Sequence, residues 1–323
     1  MSEETSPHRG GATWFSLLIP LIPLVAVVEL GLHVKQTTTD VVPQTDWVQA
    51  RDAIKADVRP DDLVTFAPFW TDPLGRRTFG DGLASMKREG RSDVTRFARA
   101  FEVSIRGAHD DALASWKKIS ERQTGGVTVT LLANPAPVQV IDDLLDFIPD
   151  RLAVSRIDAA GESPCAFQHG VSAGGSTVVP QGLLTPADRF VCTGGHAGIA
   201  VLHGADHHAH LCLFATPLQG AKLRLRFKDV TFGPELVGHS GVQWMAERNP
   251  TPERISVTFH AFDHLLGTHA HKVGAGWTAF DIPTAELDGK KGDLVADIAP
   301  SGQRQFCFEA TTRRPADIAE ARP

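Results

Sequence analysis

The hydrophobic pattern of this chain changes its period once, near residue 160, and that change limits the folds open to it. Beyond it no helical repeat survives. Short apolar runs separated by Gly, Pro, Asp and His take over: Ala209–Ala215 (AHLCLFA), Lys222–Phe227, Ile255–Phe262, Trp277–Ile282, Leu294–Ile298 and Gln305–Ala310. Lys222–Phe227 (KLRLRF) alternates strictly. It puts Leu223, Leu225 and Phe227 on one face and Lys222, Arg224 and Arg226 on the other, the mark of an antiparallel sheet with one wet face. Turn signals every 8–15 residues predict an all-β sandwich over residues 161–314, followed by a short tail, 315–323.

Before the change, residues 46–160 alternate between helix and strand periods. Asp46–Asp57 reads as a helix with Trp47, Ala50 and Ile54 on one side and Asp46 as its N-cap. Strands are expected at Leu63–Ala67, Ala100–Arg106, Val127–Leu132 and Arg151–Ile157. Helices are expected at Arg77–Arg88, Asp110–Gln123 (Leu113, Trp116 and Ile119 inward) and Pro137–Ile148. Such alternation predicts a small open α/β sheet, mostly parallel. The fold class is therefore α/β plus all-β, the second domain jelly-roll-like.

Location is read from the start of the chain. Trp14–Val28 (WFSLLIPLIPLVAVV) is apolar and uncharged, and Leu30–Val34 extends it past Glu29. Some 20 residues at about 1.5 Å each cross a bilayer core of about 30 Å. We expect a cytoplasmic tail (1–11), a single transmembrane signal anchor (12–34) and a linker (35–45), because no small-x-small cleavage site follows the run. The bulk of the chain would then lie outside the cytoplasm, on the periplasmic side of the inner membrane. There Cys165, Cys192, Cys212 and Cys307 are disulfide candidates, with buried free thiols as the competing reading. A net charge of −6 and the lack of a basic domain argue against a nucleic-acid partner.

Two resemblances add to this reading. Ile255–Ile298 (ISVTFHAFDHLLGTHAHKVGAGWTAFDIPTAELDGKKGDLVADI) resembles the second half of a galactose-binding-like jelly roll, the fold of many carbohydrate-binding modules. The features that carry it are the strand to Phe262, Leu266-Gly267, Gly276-Trp277 and Leu287-x-Gly289, and the likeness runs from about Cys165 to Arg313. It implies that the closing strand pairs with one near the domain start. Asp46–Pro68 (DWVQARDAIKADVRPDDLVTFAP) is similar to the soluble segment after the last membrane helix of GT-C-type membrane glycosyltransferases. Their catalytic loops lie between spans that this chain lacks, so the likeness implies only an association with envelope glycans.

Candidate site residues fall into three groups. Trp70, Asp72, Arg76, Arg106, His109 and Asn134 follow the expected strands of the first domain, where an open α/β sheet binds ligands. Trp244, with Trp277, offers an aromatic platform for a sugar, although Trp277 opens an apolar strand and reads first as core. Histidine supplies the third group. HGADHHAH contains His203, Asp206, His208 and His210, and His269/His271 form a second i, i+2 pair, with Asp263 nearby. Imidazoles sharing a strand face could hold zinc, whereas solvated loop histidine is the plainer reading, and no cofactor is expected. Gly170–Gly174 (GVSAG) matches the nucleophile-elbow pattern around Ser172, but Gly175 and Pro180 deny it the following helix. Together these features lead to a membrane-anchored, non-enzymatic accessory or binding protein of envelope glycan or surface assembly, with a metal-dependent or serine hydrolase as the rival.

Overall fold

The computed structural model describes residues 21–39, 41–170, 186–249, 251–302 and 305–315. It opens with helix α1 (Leu21–Thr39), which exposes Leu24, Val25, Val27, Val28, Leu30, Leu32 and Val34. Among the described residues no helix is long and apolar enough to cross a membrane, and residues 12–20 of the expected span lie outside them. Helix α2 (Gln44–Ile54) follows, burying Trp47, Ala50 and Ile54. Asp46 is not its N-cap: Pro43 holds that place, and Asp46 accepts the Gly126 N–H at 2.8 Å.

Next come β1 (Leu63–Ala67), α3 (Asp72–Phe79), α4 (Met86–Glu89), β2 (Arg99–Ile105), β3 (Lys117–Thr124) and β4 (Val127–Ala133). The four strands form one sheet in the order β1-β2-β4-β3. Trp47, Ile54, Val64, Phe66, Phe101, Val103 and Val129 pack on one face, and Leu63, Phe97, Leu113, Trp116 and Leu132 on the other. Only β1 and β2 run parallel; β2/β4 and β3/β4 are antiparallel, which corrects the mostly parallel expectation.

The reason lies in two expected helices that do not form. Asp110–Gln123 becomes a 3-10 turn capped by Asp110 and then β3, an exposed edge strand turning through Gly125-Gly126 into β4. With both faces wet, β3 has no apolar side to betray its period, and Ile119 is exposed. Residues 137–148 become a strand with β-branched Val138, Val140 and Ile141, followed by a 3-10 turn, Leu144–Phe147, capped by Asp143. The expected helix 77–88 is also broken, because Gly80 sits at φ +72 and closes α3.

The sandwich comprises β5 (Val138–Asp143), β6 (Leu152–Asp158), β7 (Gly161–Pro164), β8 (Ala166–Gln168), β9 (Arg189–Cys192), β10 (Gly195–His203), β11 (Ala209–Ala215), β12 (Lys222–Thr231) and β13 (Glu235–Val242). After the short helix α5 (Trp244–Glu247) come β14 (Arg254–Ala261), β15 (His264–Lys272), β16 (Thr278–Pro283), β17 (Lys291–Ile298) and β18 (Phe306–Pro315). One sheet runs β16-β13-β18-β11-β10-β9-β8, with β5 beside the rest of β18; the other runs β15-β14-β17-β12-β6-β7. Consecutive strands from β11 to β14 and from β15 to β18 cross between the sheets, the connection pattern of a jelly roll. Leu223, Leu225 and Phe227 are fully buried between the layers, as their alternation requires.

The sandwich starts earlier than expected. Strand β6 pairs with β12, not with the first sheet, and β5 pairs with the end of β18, so residues 138–158 leave the 46–160 body. Two disulfides form, Cys165–Cys192 and Cys212–Cys307, and all four sulfurs are spoken for. Such bonds persist in oxidising compartments, which makes this a domain of the extracellular or secreted type.

The two bodies meet through the segment after α4. The Leu211 N–H of β11 donates to Gly90 O at 2.7 Å, an approach open only to glycine, since a Cβ there would lie 2.8 Å from that of Leu211. Buried Arg91 then reaches Asp143 at 3.2 Å, and Arg313 reaches Asp93 at 2.6 Å. The contact is therefore ionic and backbone-bonded as well as apolar.

Candidate functional site

Strand β1 ends at Ala67, and a 3-10 turn, Phe69–Thr71, leads into α3. Thr71 is buried and its Oγ1 donates to Pro68 O at 2.8 Å, which pins the turn and leaves the two aromatic side chains before it outside. Phe69 is 43% and Trp70 55% exposed. They stand on the rim of a cavity of about 340 Å³. Asp72, Arg76 and Glu89 form one wall, and His203, His207 and His208 of the β10–β11 turn form the other. The Phe69 and His207 rings stack at 5.8 Å across it. A second cavity of about 440 Å³ shares Thr65, Glu89, His208 and Ala209 with the first and continues to Ser92, Asp110, Asp206, His210 and Trp277. The two make one cleft between the sheet body and the sandwich.

Charge in the cleft is divided unequally. Arg76 donates to Asp72 and comes within 3.6 Å of Glu89 Oε2. The Glu89 side chain is only 8% exposed, and neither of its oxygens has a hydrogen-bond partner. Burial, reinforced by the Asp72 carboxylate and opposed by Arg76 and Arg88, pushes Glu89 up to about 8. At neutral pH it is a carboxylic acid and a hydrogen-bond donor. Asp206 goes the other way: burial raises it, but hydrogen bonds from His210 and the His208 N–H outweigh that and hold it below the usual carboxylate range.

A chain of hydrogen bonds fixes the far end of the cleft. The Trp277 indole Nε1 donates to Ser92 Oγ at 2.6 Å, which lies 3.1 Å from His210 Nδ1; His210 Nε2 lies 2.9 Å from Asp206 Oδ2. The His210 ring stacks on Trp277 at 4.2 Å. Trp277 thus packs on the Leu202, Cys212, Phe214 and Cys307 cluster, as its strand suggests, and also walls the cleft.

No family model and no curated relative match the chain. Among solved structures it is similar to a family 11 carbohydrate-binding module from Clostridium thermocellum in complex with a mixed-linked tetrasaccharide, at 9% identity and TM-score 0.24, over 38% of this chain and 83% of that one. It is also similar to a glycoside hydrolase family 43 arabinoxylan arabinofuranohydrolase from Bacillus subtilis, at 10% identity and TM-score 0.27, over 68% of this chain and 41% of that one. A third is the K2 cleaved adhesin domain of Lys-gingipain, at 12% identity and TM-score 0.23, over 34% of this chain and 75% of that one. The chain spans about two fifths of the arabinofuranohydrolase. Likeness at this level assigns neither family nor ligand.

Folding unites two groups that the sequence kept apart: Trp70, Asp72 and Arg76 of the first body, and His203, Asp206, His208 and His210 of the sandwich. Other candidates go elsewhere. Strand β4 is antiparallel to β2, so Asn134 lies at the opposite end of the sheet, where its amide donates to Thr95 O and Phe97 O. His109 is held by Glu102 at 2.9 Å, and neither it nor Arg106 lines the cleft. Trp244 packs against the Arg248 guanidinium on α5. His269 and His271 are drawn into a separate network under the sandwich with Ser240 and Glu247. Among the described residues no three His, Cys, Asp or Glu side chains gather where they could hold a metal ion, and Ser172 lies outside those residues. Glu89 and Ser92 escaped the sequence reading, as neither belongs to a motif.

Proposed function

We propose that this is an extracytoplasmic, membrane-tethered binding protein that takes a glycan into the cleft between its two bodies, as an accessory to envelope or surface assembly. The observation that carries the reading is the exposed pair Phe69 and Trp70 beside a polar wall of Asp72, Arg76 and Glu89. Sugars present an apolar ring face and a rim of hydroxyls, and an aromatic plane beside acceptors and donors answers both. Here Asp72 accepts, while Arg76 and protonated Glu89 donate.

Glycan-array screening followed by calorimetry tests it. Trp70→Ala is expected to weaken the best glycan by about 5-fold, since the ring's stacking contributes about 1 kcal/mol. Affinity untouched by that change, or indifference to every glycan, would refute the reading.

The tether is supported by α1, whose leucines and valines from Leu24 to Val34 are half or more exposed around most of its circumference. A helix that is apolar on most sides needs a nonaqueous neighbour. Fractionation of the full chain should recover it with membranes and with no thiol open to alkylation; recovery in the cytosol with four reactive thiols is the contrary result.

A further inference from the structure

We infer that Ser92, His210 and Asp206 form a nucleophilic relay at the cleft, able to hydrolyse a carboxylic ester carrying a short acyl group. This goes beyond binding and rests on the second cavity alone, independently of the sugar reading.

The relay has the parts that nucleophilic catalysis needs: a hydroxyl within reach of a base, and the base oriented by a third group. The hydrogen bonds assign the protons. Indole N–H can only donate, so Ser92 Oγ is the acceptor in the 2.6 Å contact with Trp277 Nε1, and its own proton is left for His210 Nδ1 at 3.1 Å. Neutral His210 therefore carries its proton on Nε2 and gives it to Asp206 at 2.9 Å. The nitrogen facing the serine is the basic one. Asp206 remains ionised and stabilises the imidazolium that forms, and the Trp277 stack fixes the ring plane. The Ser92 N–H donates to Glu309 Oε1 at 3.0 Å, anchoring the nucleophile's backbone.

The step balances. Ser92 Oγ bonds to the ester carbonyl carbon as its proton passes to His210 Nδ1. The tetrahedral intermediate expels the alcohol, which takes that proton. Water, deprotonated by the same nitrogen, then releases the acid and restores the serine. The cavity of about 440 Å³ has room for a short acyl group against Leu63, Val94 and Ala112.

The same protein holds a built-in comparison. Ser240 Oγ lies 3.1 Å from His271 Nδ1, and His271 Nε2 lies 3.2 Å from Glu247 Oε1, a similar relay. Yet Ser240 and His271 are 0% and 1% exposed, and Glu247 is locked by the Gly274 and Gly276 N–H groups. No ester reaches that hydroxyl, so its part is to tie the sheets together.

A fluorophosphonate probe decides between the two roles, since it bonds through phosphorus to an activated serine with loss of fluoride. The full chain should acquire a single adduct, located by peptide mass spectrometry on Ser92, with Ser240 unmodified. His210→Ala should slow labelling and 4-nitrophenyl acetate hydrolysis at least 100-fold, and Asp206→Asn, nearly isosteric, by about 10²–10⁴. A serine esterase in the same tube verifies the probe. An unlabelled Ser92, or labelling as fast in His210→Ala as in the parent, overturns the inference and leaves glycan binding untouched.

Discussion

Removing the Cys212–Cys307 bond by a double change to alanine is expected to destabilise the protein by about 4.7 kcal/mol, from the entropy restored to the unfolded chain when a loop of 95 residues is opened. Domains of this kind have only about 5–15 kcal/mol in total, so the variant should sit near its unfolding threshold. Both sulfurs are fully buried, and the bond joins β11 to β18 in the middle of the larger sheet. Cys165–Cys192 closes only 27 residues and should cost about 3.6 kcal/mol by the same relation. Urea denaturation of the two double variants checks the order as well as the sizes. Equal losses, or a larger loss for the shorter loop, would assign the effect to local packing instead.

Glu89→Gln is expected to stabilise the protein, and the gain should grow with pH. Folded Glu89 keeps its proton to about 8, whereas the unfolded chain releases it near the ordinary 4.5. Between these values the folded state binds more protons, so stability falls as pH rises, by up to about 1.36 kcal/mol per unit. The cost is absent below pH 4.5, reaches about 3 kcal/mol at pH 7, and levels off above pH 8 at about 5 kcal/mol. The amide has no proton to lose. Stability curves of variant and parent should coincide near pH 4 and diverge towards pH 8; parallel curves would show that Glu89 titrates normally.

Several strands were legible where one face was dry, although the buried β13, Glu235–Val242, was not. Leu63–Ala67 and Ala209–Ala215 were read to the residue, and the KLRLRF alternation marked the inner face of β12. Where both faces are wet, as in Lys117–Thr124, hydrophobic period carries no signal, and the chance spacing of Leu113, Trp116 and Ile119 suggested a helix. That error spread. With the crossover helices gone the sheet ceased to be parallel, and the expected gathering of Asn134 with Trp70 went with it, because strand direction decides which loops share an end. Half of the cleft was readable as residues, namely Trp70, Asp72, Arg76 and HGADHHAH, but not as one place. Their meeting depends on Gly90 passing against Leu211, a contact 121 positions apart that no local pattern encodes. The hydroxyl of Ser92 meets Trp277 and His210, both remote in sequence.

The Cys212–Cys307 bond has one more consequence. Two residues before Cys212 on β11 is His210, and two residues after Cys307 on β18 is Glu309, which grips the Ser92 backbone. The covalent link therefore sets the spacing between the base and the anchor of its serine. Until that bond forms, the chain has the histidine and the serine but no strut between their supports.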